Sequence, residues 1–402
     1  RIKPTGGLSK LRETVKGHEL AIYPKREGNI YYAKEPVVFD IVRSPGPPGD
    51  VAVNIRVLDY QENQAHSASV SPNDTAVAVP VAENGYYKVI AEAKGAGFTY
   101  ALQFPFVVIH PYAATYGETS SRFGTNHPCY SDLCQSLIRE AGIRWIRDWS
   151  LTWNKVEPEY GRFDFATTET LYKRAKEFKM LMQPILPDPS AACTTSAPVE
   201  VIEKNAAAGD SHAALWYLPR SMDDYRRYVR QCVEKVGDDA QAWEIINEPH
   251  PGKLQGWAIA ENYDQFLTVA REEIKGKAKF DQVLRTGMEY LKNSEPANVR
   301  AAQLSDIMSE HFYLGYNDTK KFLSEFKAAE DFLQKNNLHN DIWVTEYGKY
   351  QYDDLDFAFA TSEHLDQSAN ERVSCAYSVK YMTTLLGHGT KKIFFHMRTW
   401  PL

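Results

Sequence analysis

Residues 242–249 read Ala-Trp-Glu-Ile-Ile-Asn-Glu-Pro, and residues 342–348 read Ile-Trp-Val-Thr-Glu-Tyr-Gly. Both runs are short, mostly apolar and rich in β-branched and aromatic residues, the texture of a strand buried on both faces. Each carries a glutamate followed within two residues by Pro or Gly, which ends the strand. Glu248 and Glu346 therefore stand at the C-terminal ends of two buried strands.

Outward from these two runs the same texture repeats. Strand-like segments occur at 123–126, 143–149, 180–186, 241–247, 282–288, 307–313, 342–346 and 391–396. Helical segments lie between them. One ends at Gly142, and one runs from about Thr167 to Lys179. A third begins at the capping residue Ser221 and shows one apolar stripe through Tyr225, Tyr228, Val229, Cys232, Val233 and Val236. Eight strands alternating with helices predict a (β/α)8 TIM barrel rather than a doubly wound sheet. Leu402 follows directly on the eighth strand, so the helix that covers it is expected from further chain or from another segment.

The region before the barrel reads differently. Val51, Val53, Ile55 and Val57 alternate with Ala52, Asn54 and Arg56, and Tyr87, Val89, Ala91 and Ala93 repeat the pattern. Turn sequences at 44–50, 71–74 and Asn84-Gly85 separate the runs. The expected architecture is multidomain: an N-terminal all-β, immunoglobulin-like sandwich over residues 1–112, then the (β/α)8 barrel over residues 113–402.

Composition bounds the partners. A net charge of −6 with no basic block excludes nucleic acid as an expected partner. No run of eighteen apolar residues occurs, so no membrane-spanning helix is expected. Aromatics make up 12% of the chain, a supply that suits both core packing and the CH-rich faces of sugars. Cys134, Cys232 and Cys375 fall on apolar helix stripes as buried thiols, while Cys129 and Cys193 lie in loops that a barrel would open on one face, where a bridge is conceivable. The chain begins at Arg1 without a signal-like apolar core; a removed export signal accounts for this and predicts a secreted or periplasmic protein, and trimming of the chain accounts for it equally. Oligomeric state is not legible.

Catalytic side chains of such barrels sit at the C-terminal strand ends, so Glu248 and Glu346 are expected to face each other across the mouth. The chain here resembles the clan A glycoside hydrolases, retaining enzymes on (β/α)8 barrels. Asn247-Glu248-Pro249 matches the Asn-Glu at the end of strand four, and Thr345-Glu346-Tyr347 matches the glutamate at the end of strand seven. Arg147 late in strand two, residues 153–165 (WNKVEPEYGRFDF) after it, and His311 and Tyr313 at the end of strand six fall in the same order. The resemblance covers about residues 120–400. It implies Glu248 as general acid/base and Glu346 as nucleophile, acting on an oligo- or polysaccharide with no cofactor and no metal. It further implies Asn247 on the sugar 2-hydroxyl, Arg147 beside Glu346, Tyr313 on the nucleophile, His311 at sugar or behind it, and Trp400 as an aromatic platform. Trp153 and, in the long connection 187–220, Trp216 are further candidates for sugar contact.

Other carboxylates read differently. Glu244, four residues before Glu248 and deeper in the strand, is expected to pair with a barrel cation. Glu289 and Glu310 receive no catalytic role from the resemblance. The acidic run within 349–366 lacks the glycine and terminal glutamate of a known calcium loop and reads as a solvated turn. Two other classes compete. A catalytically inactive carbohydrate-binding barrel is disfavoured because both glutamates are present. A metal-dependent barrel hydrolase would draw on His127, His311 and His396, but strand one lacks the paired His-x-His such enzymes use.

Overall fold

A computed structural model describes residues 12–15, 18–43, 50–81, 83–95, 98–110, 121–126, 131–207, 216–249, 259, 261–288, 295–312, 319–348 and 378–396. These fall into two compact units. The first holds the N-terminal sheets together with Ser131–Ala141, and the second holds the barrel.

The N-terminal strands are β1 (Arg12–Val15), β2 (His18–Pro24), β3 (Ile30–Tyr32), β4 (Val37–Arg43), β5 (Val53–Asp59), β6 (Gln64–Val70), β7 (Ala76–Val79), β8 (Gly85–Gly95) and β9 (Phe98–Ile109). They form a four-stranded sheet in the order β1-β2-β4-β7 and a five-stranded sheet in the order β3-β9-β8-β5-β6. All pairs are antiparallel except β3 with β9. The period-2 pattern does its expected work: Val53, Ile55 and Val57 are buried while Asn54 and Arg56 are exposed. Both sheets contribute to one apolar cluster, Ile22 and Phe39 from the first and Val89, Phe104 and Phe106 from the second. Phe39 meets Phe104 edge-on, with ring centroids 5.2 Å apart.

The second unit is a closed barrel of eight strands. These are β10 (Phe123–Asn126), β11 (Trp145–Asp148), β12 (Leu181–Leu186), β13 (Trp243–Ile245), β14 (Val283–Arg285), β15 (Ile307–Phe312), β16 (Asp341–Tyr347) and β17 (Lys392–His396). Every neighbouring pair is parallel, and β10 closes on β17. Helices α1 (Asp132–Glu140), α2 (Trp153–Val156), α3 (Ala166–Glu177), α4 (Val199–Ala207), α5 (Met222–Val236), α6 (Tyr263–Ile274), α7 (Glu295–Gln303) and α8 (Thr319–Lys335) alternate with the strands. Ser221 caps α5 as its position implied, its Oγ accepting from the Asp223 amide, and the stripe from Tyr225 to Val236 is buried. Several expected boundaries shift, the fifth strand ending at Arg285 rather than 288. The fourth strand ends at Ile245 rather than 247, because Ile246 and Glu248 both adopt left-handed backbone, at φ 58 and 42.

The barrel interior is layered. Its floor is apolar: Trp145, Leu181, Ala242, Leu284, Ile307, Trp343 and Phe394 pack together across it. The eighth contribution, from β10, is Gly124. A Cβ there would lie 2.3 Å from the Phe394 ring. That ring is fully buried and stacks on Trp343 at a centroid distance of 6.2 Å, so it has no room to yield. Gly124→Ala is expected to cost about 1–3 kcal/mol through overpacking, read as a lowered midpoint with unchanged slope in urea unfolding.

Candidate active site

Above the apolar floor, period 2 brings a second ring of inward side chains, and these are polar. They include Arg147 on β11, Gln183 on β12, Glu244 on β13, Ser309 on β15 and Thr345 on β16, all nearly or fully buried. A lone polar residue inside an otherwise apolar strand is the sequence signal for Gln183, whereas Ser309 stands directly before Glu310 and His311 and carries no such signal.

Arg147 is the hub. Its Nε and Nη2 donate to the two oxygens of Glu244 at 2.7 and 2.8 Å, a bidentate pair. Its Nη1 donates to Glu346 Oε1, and its Nη2 also donates to Asn247 Oδ1 at 2.9 Å. β11, β13 and β16 are not neighbours, so these bonds cross the barrel interior. Glu244 also accepts from Gln183 Nε2 and Ser309 Oγ, each at 2.9 Å. Burial alone would raise the Glu244 pKa, but Arg147 outweighs it and the net shift is downward. Burial lowers the Arg147 pKa, and Glu244 and Glu346 more than reverse that. Glu244 is thus the structural partner of a barrel cation.

The rim holds the titratable groups. A β-bulge falls on β16 between Val344 and Tyr347: consecutive Glu310 and His311 of β15 face Val344 and Glu346, and Ile393 and Phe395 of β17 face Val344 and Tyr347. Through this bulge, consecutive residues Thr345 and Glu346 both reach the interior network. His311 pairs in register with Glu346. Its Nδ1 lies 2.7 Å from Glu248 Oε1 and 3.7 Å from Glu346 Oε2, and its Nε2 lies 3.0 Å from Thr345 Oγ1. One carboxylate oxygen from each glutamate and a ring nitrogen of His311 all lie within 4.8 Å of one another. Burial pushes the His311 pKa down, but the Glu346 charge and the hydrogen bond to Glu248 push it up further, and the net shift is upward. Glu346 is almost wholly buried, whereas Glu248 keeps 24% of its side chain exposed.

The structure thus brings together Glu248, Glu346, Asn247, Arg147 and His311. Two expected sugar contacts fail. Trp153 is fully buried, stacked on Tyr228 at a centroid distance of 4.6 Å, with its Nε1 donating to Glu157 Oε2 at 2.7 Å. It is a packing residue between the loop after strand two and α5. Trp216 is only 6% exposed and has little face left for a ligand. Tyr313, Trp400, Glu289, the run 349–366 and His127 lie outside the described residues. Glu310 accepts from the Met288 amide at 3.1 Å, on the helix-facing side with Phe312, Ala329 and Phe332. Cys193 is a free thiol donating to the Glu157 carbonyl, and Cys129, its expected bridge partner, lies outside the described residues.

Comparison with known proteins returned no matching family model. "Beta-glucosidase 31" of Arabidopsis thaliana is 25% identical over 121 residues, which are 30% of this chain and 21% of that protein. A GH10 xylanase from Bispora sp. MEY-1 superposes with a TM-score of 0.46 at 14% identity, covering 72% of this chain and 88% of that one. A β-galactosidase from the psychrophilic Marinomonas ef1 gives 0.44 at 11%, covering 70% of this chain and 55% of that one. The chain thus spans about a fifth of the curated relative and about half of the β-galactosidase.

The chain resembles a clan A glycoside hydrolase. Its likeness consists of a closed parallel barrel with Asn-Glu at the exit of strand four and a second glutamate at the exit of strand seven. Arg147, paired with Glu244, contacts the rim carboxylate Glu346 directly and holds Asn247, the residue next to Glu248.

That pairing has a pH signature. The Glu244 pKa is lowered on folding, so its contribution is fully present above its ordinary value of 4.5 and is lost as pH falls through the lowered folded value. Glu244→Gln is expected to destabilise the protein by about 3 kcal/mol near neutrality. The difference from wild type, measured by denaturant unfolding, should shrink as pH drops below about 4.

Proposed function

We propose that this chain is a retaining β-glycosidase that cleaves an oligo- or polysaccharide by double displacement. The observation carrying the proposal is the closeness of Glu248 and Glu346, whose carboxylate oxygens approach within 4.8 Å. Retaining enzymes hold their two carboxyls about 5–5.5 Å apart, whereas inverting enzymes leave about 6.5–9.5 Å for a water between nucleophile and sugar.

The environments of the two groups favour different roles. Glu346 is buried and accepts a hydrogen bond from Arg147, a guanidinium that stays charged at any working pH. Those surroundings favour the carboxylate, the form that attacks the anomeric carbon. Glu248 is partly exposed and hydrogen-bonds the His311 ring. It suits the group that donates a proton to the leaving oxygen and later takes one from water. When Glu346 is esterified its charge disappears, which lowers the proton affinity of Glu248 and turns the acid into a base. Asn247 has a fixed orientation, because Arg147 can only donate and must face its Oδ1. Its amide nitrogen is then the donor to the sugar 2-hydroxyl, a contact that strengthens in the transition state. The N-terminal sheets are read as an immunoglobulin-like sandwich, residues 1–112, accessory to a catalytic barrel over 113–402. No step calls for a metal.

NMR of the first-formed hemiacetal from an aryl β-glycoside is expected to show the β-anomer; an α-anomer as first product contradicts the double displacement. Glu346→Ala is expected to abolish turnover. Azide should restore part of it with an activated substrate and deliver an inverted product, and an absence of rescue speaks against the nucleophile. Activity is expected to survive exhaustive chelation, which separates this reading from a metal-dependent hydrolase.

A further inference from the structure

The hydrogen bonds behind His311 form a closed count. Ser309 Oγ and Thr345 Oγ1 touch each other. Ser309 Oγ lies 2.9 Å from Glu244 Oε1, and Thr345 Oγ1 lies 3.0 Å from His311 Nε2. These are three hydrogen bonds in a line: Glu244 to Ser309, Ser309 to Thr345, Thr345 to His311. Each needs one proton. Glu244, bonded in bidentate fashion to Arg147, accepts only. The two hydroxyls supply two protons between them. Thr345 is also 3.4 Å from Glu244, but Arg147 and Ser309 approach that same oxygen more closely. The third proton must come from the imidazole.

We propose that this line of hydroxyls fixes His311 with its proton on Nε2, so that one proton is shared along the axis from His311 Nδ1 to Glu248 Oε1. The proposal deepens the retaining reading and rests on it for its catalytic meaning. With Nε2–H committed to Thr345, two charge states satisfy the 2.7 Å contact to Glu248. In one, a protonated Glu248 donates to neutral Nδ1. In the other, an imidazolium donates from Nδ1 to the Glu248 carboxylate. Both contain the same single proton, and the two groups titrate as a pair.

The chemistry follows. In the first step, the glycosidic C–O bond breaks and the leaving oxygen takes that proton from Glu248. Nδ1 and Oε1 are then two acceptors facing each other, an arrangement that raises the pull of the pair for a proton. In the second step, water gives one proton to Glu248 as its oxygen bonds to the anomeric carbon and the Glu346 ester bond breaks. The pair ends as it began. His311 is a positioning residue in this scheme, and so are Ser309 and Thr345. The charged groups facing His311 act in the same framework. Glu346 and Glu248 favour its protonation, Arg147 opposes it, and Glu244 lies 3.9 Å from Nε2.

Two measurements test the relay. The first does not depend on activity. Long-range 15N–1H correlation on the folded protein, with His311 assigned by comparison with His311→Asn, is expected to show Nε2 protonated at every pH and Nδ1 as the titrating nitrogen. A neutral ring protonated on Nδ1 overturns the proposal. Thr345→Val should weaken the Nε2–H preference and let both tautomers appear; unchanged tautomer signals in that variant also overturn it. The second is the pH profile of kcat/KM on an aryl glycoside. Removing the second base should move the alkaline limb of His311→Asn down by on the order of one pH unit or more. A limb that stays in place while kcat falls marks a merely structural histidine and overturns the proposal. Where His311→Asn does not fold, Thr345→Val carries the pH test, with a smaller shift in the same direction. A protein that turns over no glycoside but shows the expected tautomer defeats the retaining reading and leaves the relay standing.

Discussion

One buried guanidinium organises the barrel. Arg147 is fully enclosed, and a charge in that position is tolerated only if partners surround it. It has two carboxylates, Glu244 beside it in bidentate contact and Glu346 across the interior. This shared cation fixes strands two, four and seven relative to one another. It also binds the Asn247 side chain, so the residue next to the general acid is oriented by the same group. A lysine would offer no planar fork and could not serve both carboxylates and the amide.

Polarity rises through the barrel from floor to rim. The floor is aromatic and aliphatic, and Gly124 is what lets the Phe394 ring lie across it. The middle layer is polar, with Gln183, Ser309 and Thr345 donating or relaying towards Glu244. Only the rim carries groups whose charge state can change within the proposed reaction. A hydrogen-bonded polar layer beneath a reactive one holds the reactive side chains in place.

The exit of strand four is strained. Ile246 and Glu248 both have left-handed backbone, unfavourable for any residue with a Cβ and most so for a β-branched one. Backbone bonds from Ile246 N to the Leu186 carbonyl and from Asn247 N to the Pro187 carbonyl hold the segment in that shape. The turn directs Glu248 to the ring of His311. A cost of roughly 1–2 kcal/mol per residue is the order expected for such conformations, and they gather where side-chain placement matters most.

The sequence by itself determined the barrel, its eight strand positions and the two carboxylates, because strand period, helix stripes and strand-terminating Pro and Gly are local signals. Arg147 and Glu244 were legible as well, since a charged residue inside an apolar strand must find an opposite partner. Tertiary structure alone decided the rest. The bulge on β16 turned Thr345 and Glu346 inward together, which strict alternation along a strand does not allow. Trp153 became a packing residue because α5 delivered Tyr228 onto its face, an encounter between residues 75 positions apart in the chain. The proton count at His311 likewise exists only where strands four, six and seven converge, since it depends on which hydroxyl faces which acceptor across the barrel.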